Sequence, residues 1–248
     1  MPSNGAVWRY TARVGQTLRS VGHARIYRRF REMTMIRKSK YLGNLAIAER
    51  VRQVPGCVVE CGVWRGGMIA GIASVLGNRR EYHLFDSFEG LPPAREIDGP
   101  DAIQWQADTA DPNYFDNCAA EQRWAEQAMR RAGAKEFQLH RGWFEDTVTQ
   151  FTPPTPIALL RLDGDWYDST LVCLEALYDH VHPDGMIVID DYYTWDGCAR
   201  AVHDFLSRRK LNARIRQAAP NICIMNRGEP WLEQNEAALA ESRRVGVG

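Results

Sequence analysis

The sequence has no run of about eighteen apolar residues, so no segment reads as a membrane-crossing helix. The opening residues, MPSNGAVWRYTARVG, lack the apolar core of a secretory signal. Cysteine is sparse: there are six, with no C-x-x-C pair. Cys57 and Cys61 stand four apart, and no second pair completes a zinc site. Together these absences predict a cytoplasmic protein whose cysteines serve as small buried apolar residues. There is no net charge either, since 31 Lys and Arg face 31 Asp and Glu. That excludes a uniformly basic, nucleic-acid-binding surface. Internal repeats and low-complexity stretches are also missing. The 45% hydrophobic and 10% aromatic content argues against disorder and against a collagen-like chain. A length of 248 residues fits one large domain or two small ones.

The zero charge conceals a split. Residues 1–50 hold eleven Lys and Arg against Glu32 and Glu49, a net +9, and the remainder carries −9. A basic leading segment of this kind could dock on an acidic core, its own or a neighbouring subunit's, attract an anionic acceptor, or simply form a solvated basic face.

Apolar spacing predicts helices over 8–19, 26–30 and 41–54, the last ended by Pro55-Gly56. Strands and helices then alternate. Strands are expected at 57–60, 81–86, 137–142, 157–163 and 186–191, and a final pair at 213–217 and 222–226. Helices are expected at 68–76, 119–132, 144–151, 170–180 and 197–209. The stretch 87–113, rich in Pro, Gly and Asp, reads as a long polar loop, and Pro183-Asp184-Gly185 as a turn. Residues beyond 227 read as a peripheral tail. The chain divides on this reading into a helical segment 1–54, a core 55–227 and a tail 228–248. Such alternation predicts an α/β fold with a largely parallel sheet covered on both faces. In these sheets ligands bind beyond the carboxyl ends of the strands, so the acids there are the first candidates for function.

The first strand runs into Glu60-Cys61-Gly62-Val63-Trp64-Arg65-Gly66-Gly67. Glycines here allow positive φ and close backbone approach, and the free N–H groups of the following helix face a polar ligand. The dinucleotide pattern G-x-G-x-x-G is not met. An acid followed by this glycine spacing is the turn that S-adenosylmethionine (SAM) methyltransferases usually carry. Asp86 ends the second strand, where a carboxylate is placed to accept hydrogen bonds from both ribose hydroxyls of an adenosine. A helix-capping role is the plainer reading of the same residue.

Two further strands end in carboxylates, Asp163-Gly164-Asp165 and Asp190-Asp191. Brought to one sheet edge, they would raise each other's pKa unless a cation neutralised them. Oxygen-only donors suit Mg²⁺ or another hard divalent ion. Asp163, Asp190 and Asp191 are the candidate metal ligands, and Asp165 the candidate base. Asp163 could instead combine both roles, and Asp190 and Asp191 could merely cap the next helix. Trp166-Tyr167 and Tyr192-Tyr193, beside these acids, could wall a sugar site or simply pack. His83 and His140 lie within strands and read as structural, with His140 nearer to ligand reach.

Five motifs in order, VVECGVWRGG (58–67), HLFDSFEGLP (83–92), GWFEDT (142–147), LRLDGDWYDST (160–170) and VIDDYYTWDGCARAV (188–202), resemble the macrocin O-methyltransferase family. The likeness runs from about Thr34 to Arg209. It implies a Rossmann-like class I SAM-dependent methyltransferase fold, with a mostly parallel seven-stranded sheet, helices on both faces and an N-terminal helical lid. It also implies SAM and Mg²⁺ as cofactors and a deoxysugar hydroxyl, often on a natural-product glycoside, as acceptor. Glu60, Gly62, Val63 and Arg65 would line the methionine end of SAM. Asp86, Ser87 and Phe88 would hold the ribose and flank the adenine, with Gly142, Trp143 and Phe144 beside it. The implied partners are a small-molecule glycoside acceptor and further copies of the chain in a dimer or tetramer, with no nucleic acid and no membrane span. Residues 108–124 and those before Thr34 depart from the pattern, so it implies nothing about acceptor contacts there. Three other readings compete: a catechol-type O-methyltransferase, an Asp-x-Asp metal-dependent glycosyltransferase, and a SAM-binding scaffold without activity.

Overall fold

The computed structural model describes residues 21–227. The expected helix at 8–19 and the tail 228–248 lie outside the described residues. Seven strands form one sheet in the order β3-β2-β1-β4-β5-β7-β6. They are β1 (Cys57–Cys61), β2 (Glu81–Asp86), β3 (Glu136–Arg141), β4 (Ile157–Leu162), β5 (Val181–Ile189), β6 (Arg216–Ala219) and β7 (Ile222–Met225). The first five are parallel, and β7 is antiparallel to both β5 and β6. The expected fold class is therefore what forms.

The helices are α1 (residues 21–30), α2 (Lys38–Arg50), α3 (Gly67–Leu76), α4 (Pro100–Ala107), α5 (Gln122–Ala132), α6 (Phe144–Thr147), α7 (Tyr167–Leu177) and α8 (Asp196–Arg208). Period-two alternation along the strands divides the core in two. Val58, Leu84, Leu159 and Val188 pack with α2, α3 and α5. Val59, Phe85, Leu160 and Ile187 pack with α7 and α8 on the other face. Both faces are covered, which is why β1 and β4 are buried at every position. Among the described residues, no helix is long and apolar enough to cross a membrane.

Helix α2 is packed into this core. Tyr41, Leu45 and Ala48 are buried against α3, and the Tyr41 hydroxyl donates to the Gly67 carbonyl at 2.8 Å. A Cβ on Gly71 would sit 2.0 Å from that hydroxyl, so the small residue sets the helix–helix distance.

Three expectations need correction. The stretch read as a loop contains α4. Gly99 and Pro100 begin it, since proline at the first helical position is preorganised for the turn. Helix α7 begins three residues early, at Tyr167, because Asp98, remote in sequence, caps it by accepting the Tyr167 N–H at 2.7 Å. Strand β5 begins at Val181, and the expected turn at 183–185 is a bulge inside it, where pairing jumps from Ile157↔Val181 to Leu159↔Met186.

Candidate active site

Parity along the strands assembles the site. Glu60 shares the face of Val58, Arg161 and Asp163 that of Leu159, and Asp190 that of Val188. The β1–β4 register sets Glu60 beside Arg161. The Arg161 guanidinium, 1% exposed, touches three carboxylates: Glu60 Oε1 at 2.6 Å, Asp163 Oδ2 at 2.8 Å and Asp190 Oδ1 at 2.6 Å. From the start of α2, Lys40 Nζ reaches Asp190 Oδ2 at 2.5 Å and donates to the Asp190 carbonyl at 2.8 Å. Two cations thus face five carboxyl groups once Asp165 and Asp191 are counted.

The carboxylates respond differently. Burial would raise Asp190, but Arg161 and Lys40 beside it outweigh that and hold it below its ordinary range. Burial pushes Glu60 up to about 7, against the pull of Arg161. Burial likewise pushes Asp163 to about 6. Asp165 rises to about 7 through burial and the charge of Asp163. Asp191 is raised well above its usual value by burial and by its neighbours Asp165, Asp163 and Asp190. Such mutual elevation is what an uncompensated acidic cluster produces.

These residues open on a cavity of about 580 Å³, a volume typical of ligand sites. Glu60, Gly62, Val63, Asp86, Ser87, Gly142, Trp143, Phe144, Asp163, Asp165, Asp190 and Asp191 all line it. Two expected residues do not. Arg65 stacks over Trp64 and Trp124, its guanidinium carbon 4.4 and 5.8 Å from the ring centres. Phe88 is buried in the core beside α5.

Asp86 is engaged within the protein itself. Its Oδ2 accepts the N–H groups of Val63 and Trp64 at 2.8 Å each, and its Oδ1 that of Phe88 at 2.6 Å. It therefore braces the glycine turn, and it also lines the cavity. Gly62 adopts φ +85°, and a Cβ there would lie 1.9 Å from the Asp163 carbonyl oxygen, so no other residue fits.

The aromatic wall is not the one expected. Trp105 of α4 and Trp195 line the cavity. Trp166 is buried behind them, with ring centres 6.3 and 5.3 Å from theirs. Tyr167 bonds to Asp204 and Tyr192 to His203, and neither lines the cavity. Trp195 also donates its indole N–H to Asp165 Oδ1 at 2.8 Å, leaving Oδ2 without a partner among the described residues. His140 stacks on Phe85 at 4.2 Å and bonds to His83, outside the cavity lining. Of the six free cysteines, five are buried, and Cys118 is half-buried at the cavity.

Sequence reasoning missed Arg161, Lys40, Trp105 and the cavity-facing role of Trp195. A signal for Arg161 was present: an arginine inside the apolar run IALLRL, matched by Glu60 inside CVVEC. No comparable signal marks Lys40.

Residues 3–227 match the family described as macrocin-O-methyltransferase (TylF). The chain belongs to this family. The match is wider than the motif span alone and takes in the divergent stretch 108–124. Among curated relatives, 8-demethyl-8-(2,3-dimethoxy-alpha-L-rhamnosyl)-tetracenomycin-C 4'-O-methyltransferase of Streptomyces olivaceus is 35% identical over 168 residues. That alignment spans 65% of this chain and 62% of the relative. Mycinamicin III 3''-O-methyltransferase of Micromonospora griseorubida is 32% identical over 168 residues, 65% of each chain. The chain thus spans less than two thirds of the length of either relative. The structure of the O-methyltransferase NovP superposes with a TM-score of 0.65 at 27% identity, over 79% of this chain and 83% of that one. The calicheamicin methyltransferase CalS11 shares the fold, with a TM-score of 0.61 at 20% identity over 79% and 82% of the two chains.

Proposed function

We propose that this TylF-family chain transfers a methyl group from SAM to a sugar hydroxyl of a natural-product glycoside, with a divalent cation at the carboxylate cluster. The observation that carries the reading is the convergence, in one cavity, of the Glu60–Gly62 turn, the Asp163–Asp190–Asp191 cluster and the Trp105–Trp195 wall. The family match and the names of relatives that methylate glycosides support this over an Asp-x-Asp glycosyltransferase or a scaffold. A reducing compartment such as the cytoplasm suits its free cysteines.

The residues present suit both absent groups. Glu60 Oε2 is buried without a hydrogen-bond partner at the cavity, as an acceptor for the amino group of SAM would be. Asp86 Oδ1 retains acceptor capacity for a ribose hydroxyl beyond its bond to Phe88. Trp143 and Phe144 would flank the adenine. Oxygens of Asp163, Asp190 and Asp191 lie within 4.8 Å of one another. Three carboxylate donors converging in this way suit a hard divalent cation such as Mg²⁺ in chemistry. When bound, the cation polarises the acceptor hydroxyl and lowers its pKa, and SAM supplies the electrophilic methyl group.

The chain's own residues do the rest. Trp105 and Trp195 offer apolar faces to a pyranose ring and exclude water. Asp165 Oδ2, held in place through Oδ1, receives the hydroxyl proton. Much of the rate then comes from orientation of the two reactants.

The test is incubation of the chain with SAM, Mg²⁺ and a panel of rhamnosyl and other deoxysugar glycosides, with methylated product read by mass spectrometry. A methylated sugar, lost in excess chelator, is expected. Methylation of phenolic diols alone, or undiminished turnover in chelator, overturns the sugar or the metal assignment respectively.

A further inference from the structure

Both carboxylate oxygens of Asp190 face a cation, although Oδ1 has no aligned hydrogen bond. Arg161 Nη2 stands 2.6 Å from Oδ1, and Lys40 Nζ stands 2.5 Å from Oδ2. Yet Asp190 is one of three acids spaced to hold a cation together. A cation joining Asp163 and Asp191 there meets both of these positive charges, and displacing one of them relieves the repulsion.

Arg161 is not the one. It is 1% exposed and also holds Glu60 and Asp163, so its withdrawal would leave both of those carboxylates unpaired. Lys40 is different. Its side chain is 18% exposed, it lines the cavity with Arg37 and Ser39, and its stem is long and flexible. The ammonium has three protons and already gives one to the Asp190 carbonyl at 2.8 Å. It can release Oδ2 and stay tethered to the same residue. A divalent ion also carries twice the charge of the ammonium toward the same oxygen.

We propose that Lys40 sets the divalent-cation affinity of this site, by holding Asp190 Oδ2 with its positive charge and surrendering it when the cation binds. The inference rests on the metal reading above. It adds that α2, a helix remote in sequence from every ligand, contributes a built-in competitor.

The test needs neither methyl donor nor acceptor. Mn²⁺ is titrated calorimetrically into the wild-type chain, Lys40→Met, Lys40→Arg and Asp190→Asn, with circular dichroism checking each fold. Lys40→Met should bind Mn²⁺ at least tenfold more tightly than wild type. Lys40→Arg should bind no more tightly than wild type. Adding Lys40→Met to Asp190→Asn should restore nothing. Equal or weaker binding by folded Lys40→Met, alongside measurable wild-type binding, overturns the proposal and leaves the metal site standing. Absence of Mn²⁺ binding in both chains overturns the metal reading and this proposal with it. If Lys40→Met does not fold, amine labelling of wild-type Lys40, read by peptide mass spectrometry, decides. Labelling should rise when Mn²⁺ is added, and unchanged or reduced labelling overturns displacement.

Discussion

Trp195 donates its indole N–H to Asp165 Oδ1 at 2.8 Å while its ring lines the cavity. One side chain therefore links the wall that would meet a sugar to the carboxylate that would take its proton. Asp165 also sits at φ +56°, a left-handed conformation uncommon outside glycine, so its backbone is committed to this placement. Trp195→Phe keeps a ring and removes the N–H. A hydrogen bond to a charged group is worth about 1.5–3 kcal/mol, so kcat should fall roughly ten- to a hundredfold, with acceptor KM changing much less. A rise in KM with kcat intact would show that only the ring matters.

Among the described residues, Trp105 has no such link to an acid. Trp105→Ala should raise acceptor KM and leave SAM affinity, measured by calorimetry, near the wild-type value. Loss of SAM binding would mean that α4 shapes the donor side of the cavity as well.

Asp86 separates two roles that its position at the end of β2 leaves merged. It accepts three backbone N–H groups of the chain itself. Asp86→Asn turns one acceptor oxygen into a donor facing those groups, at a cost of about 1–3 kcal/mol for each donor left unpaired. Both SAM affinity and thermal stability should drop. Weakened SAM binding with an unchanged Tm would assign Asp86 to the ribose alone.

Arg161→Met leaves Glu60, Asp163 and Asp190 buried without their shared guanidinium. Breaking a buried ion pair costs about 3–5 kcal/mol. For a domain of this size that corresponds to a Tm lower by roughly 6–20 °C. A shift within about 2 °C would mean that the carboxylates are neutralised some other way.

The His83–His140 pair gives a pH dependence remote from the cavity. Burial, aided by the neighbouring His140, holds His83 down at about 4, and burial lowers His140 as well. A histidine lowered on folding stabilises fully above its unfolded value near 6.5, and that contribution is lost as pH falls toward 4. His83 then accounts for about 3 kcal/mol across that window. Urea unfolding at pH 7 and pH 4.5 should show a smaller acid loss in His83→Phe than in wild type. Equal losses would mean that other groups govern acid unfolding.

Much of the architecture was legible in the chain because it follows local rules. Period-two apolar runs bounded by Gly and Pro mark the strands, and β2 falls at 81–86 as read. Acids just after those runs must lie at the carboxyl edge of a parallel sheet, so Glu60, Asp86, Asp163, Asp190 and Asp191 could be named as one group. What the sequence could not yield is contact between distant segments. Helix α4 depends on a proline start inside a loop-like composition, and α7 is capped from Asp98, 69 residues away. The Trp105–Trp195 wall joins α4 to the start of α8, which only the packed fold brings together. The +9 leading segment and the −9 remainder hinted at an internal match, and Lys40 against Asp190, 150 residues apart, is one place where the structure makes it. Periodicity and turn chemistry fix which residues reach the sheet edge, because they act over a few residues. Which charges end up paired there depends on packing and desolvation across the whole fold, and those are decided only when it closes.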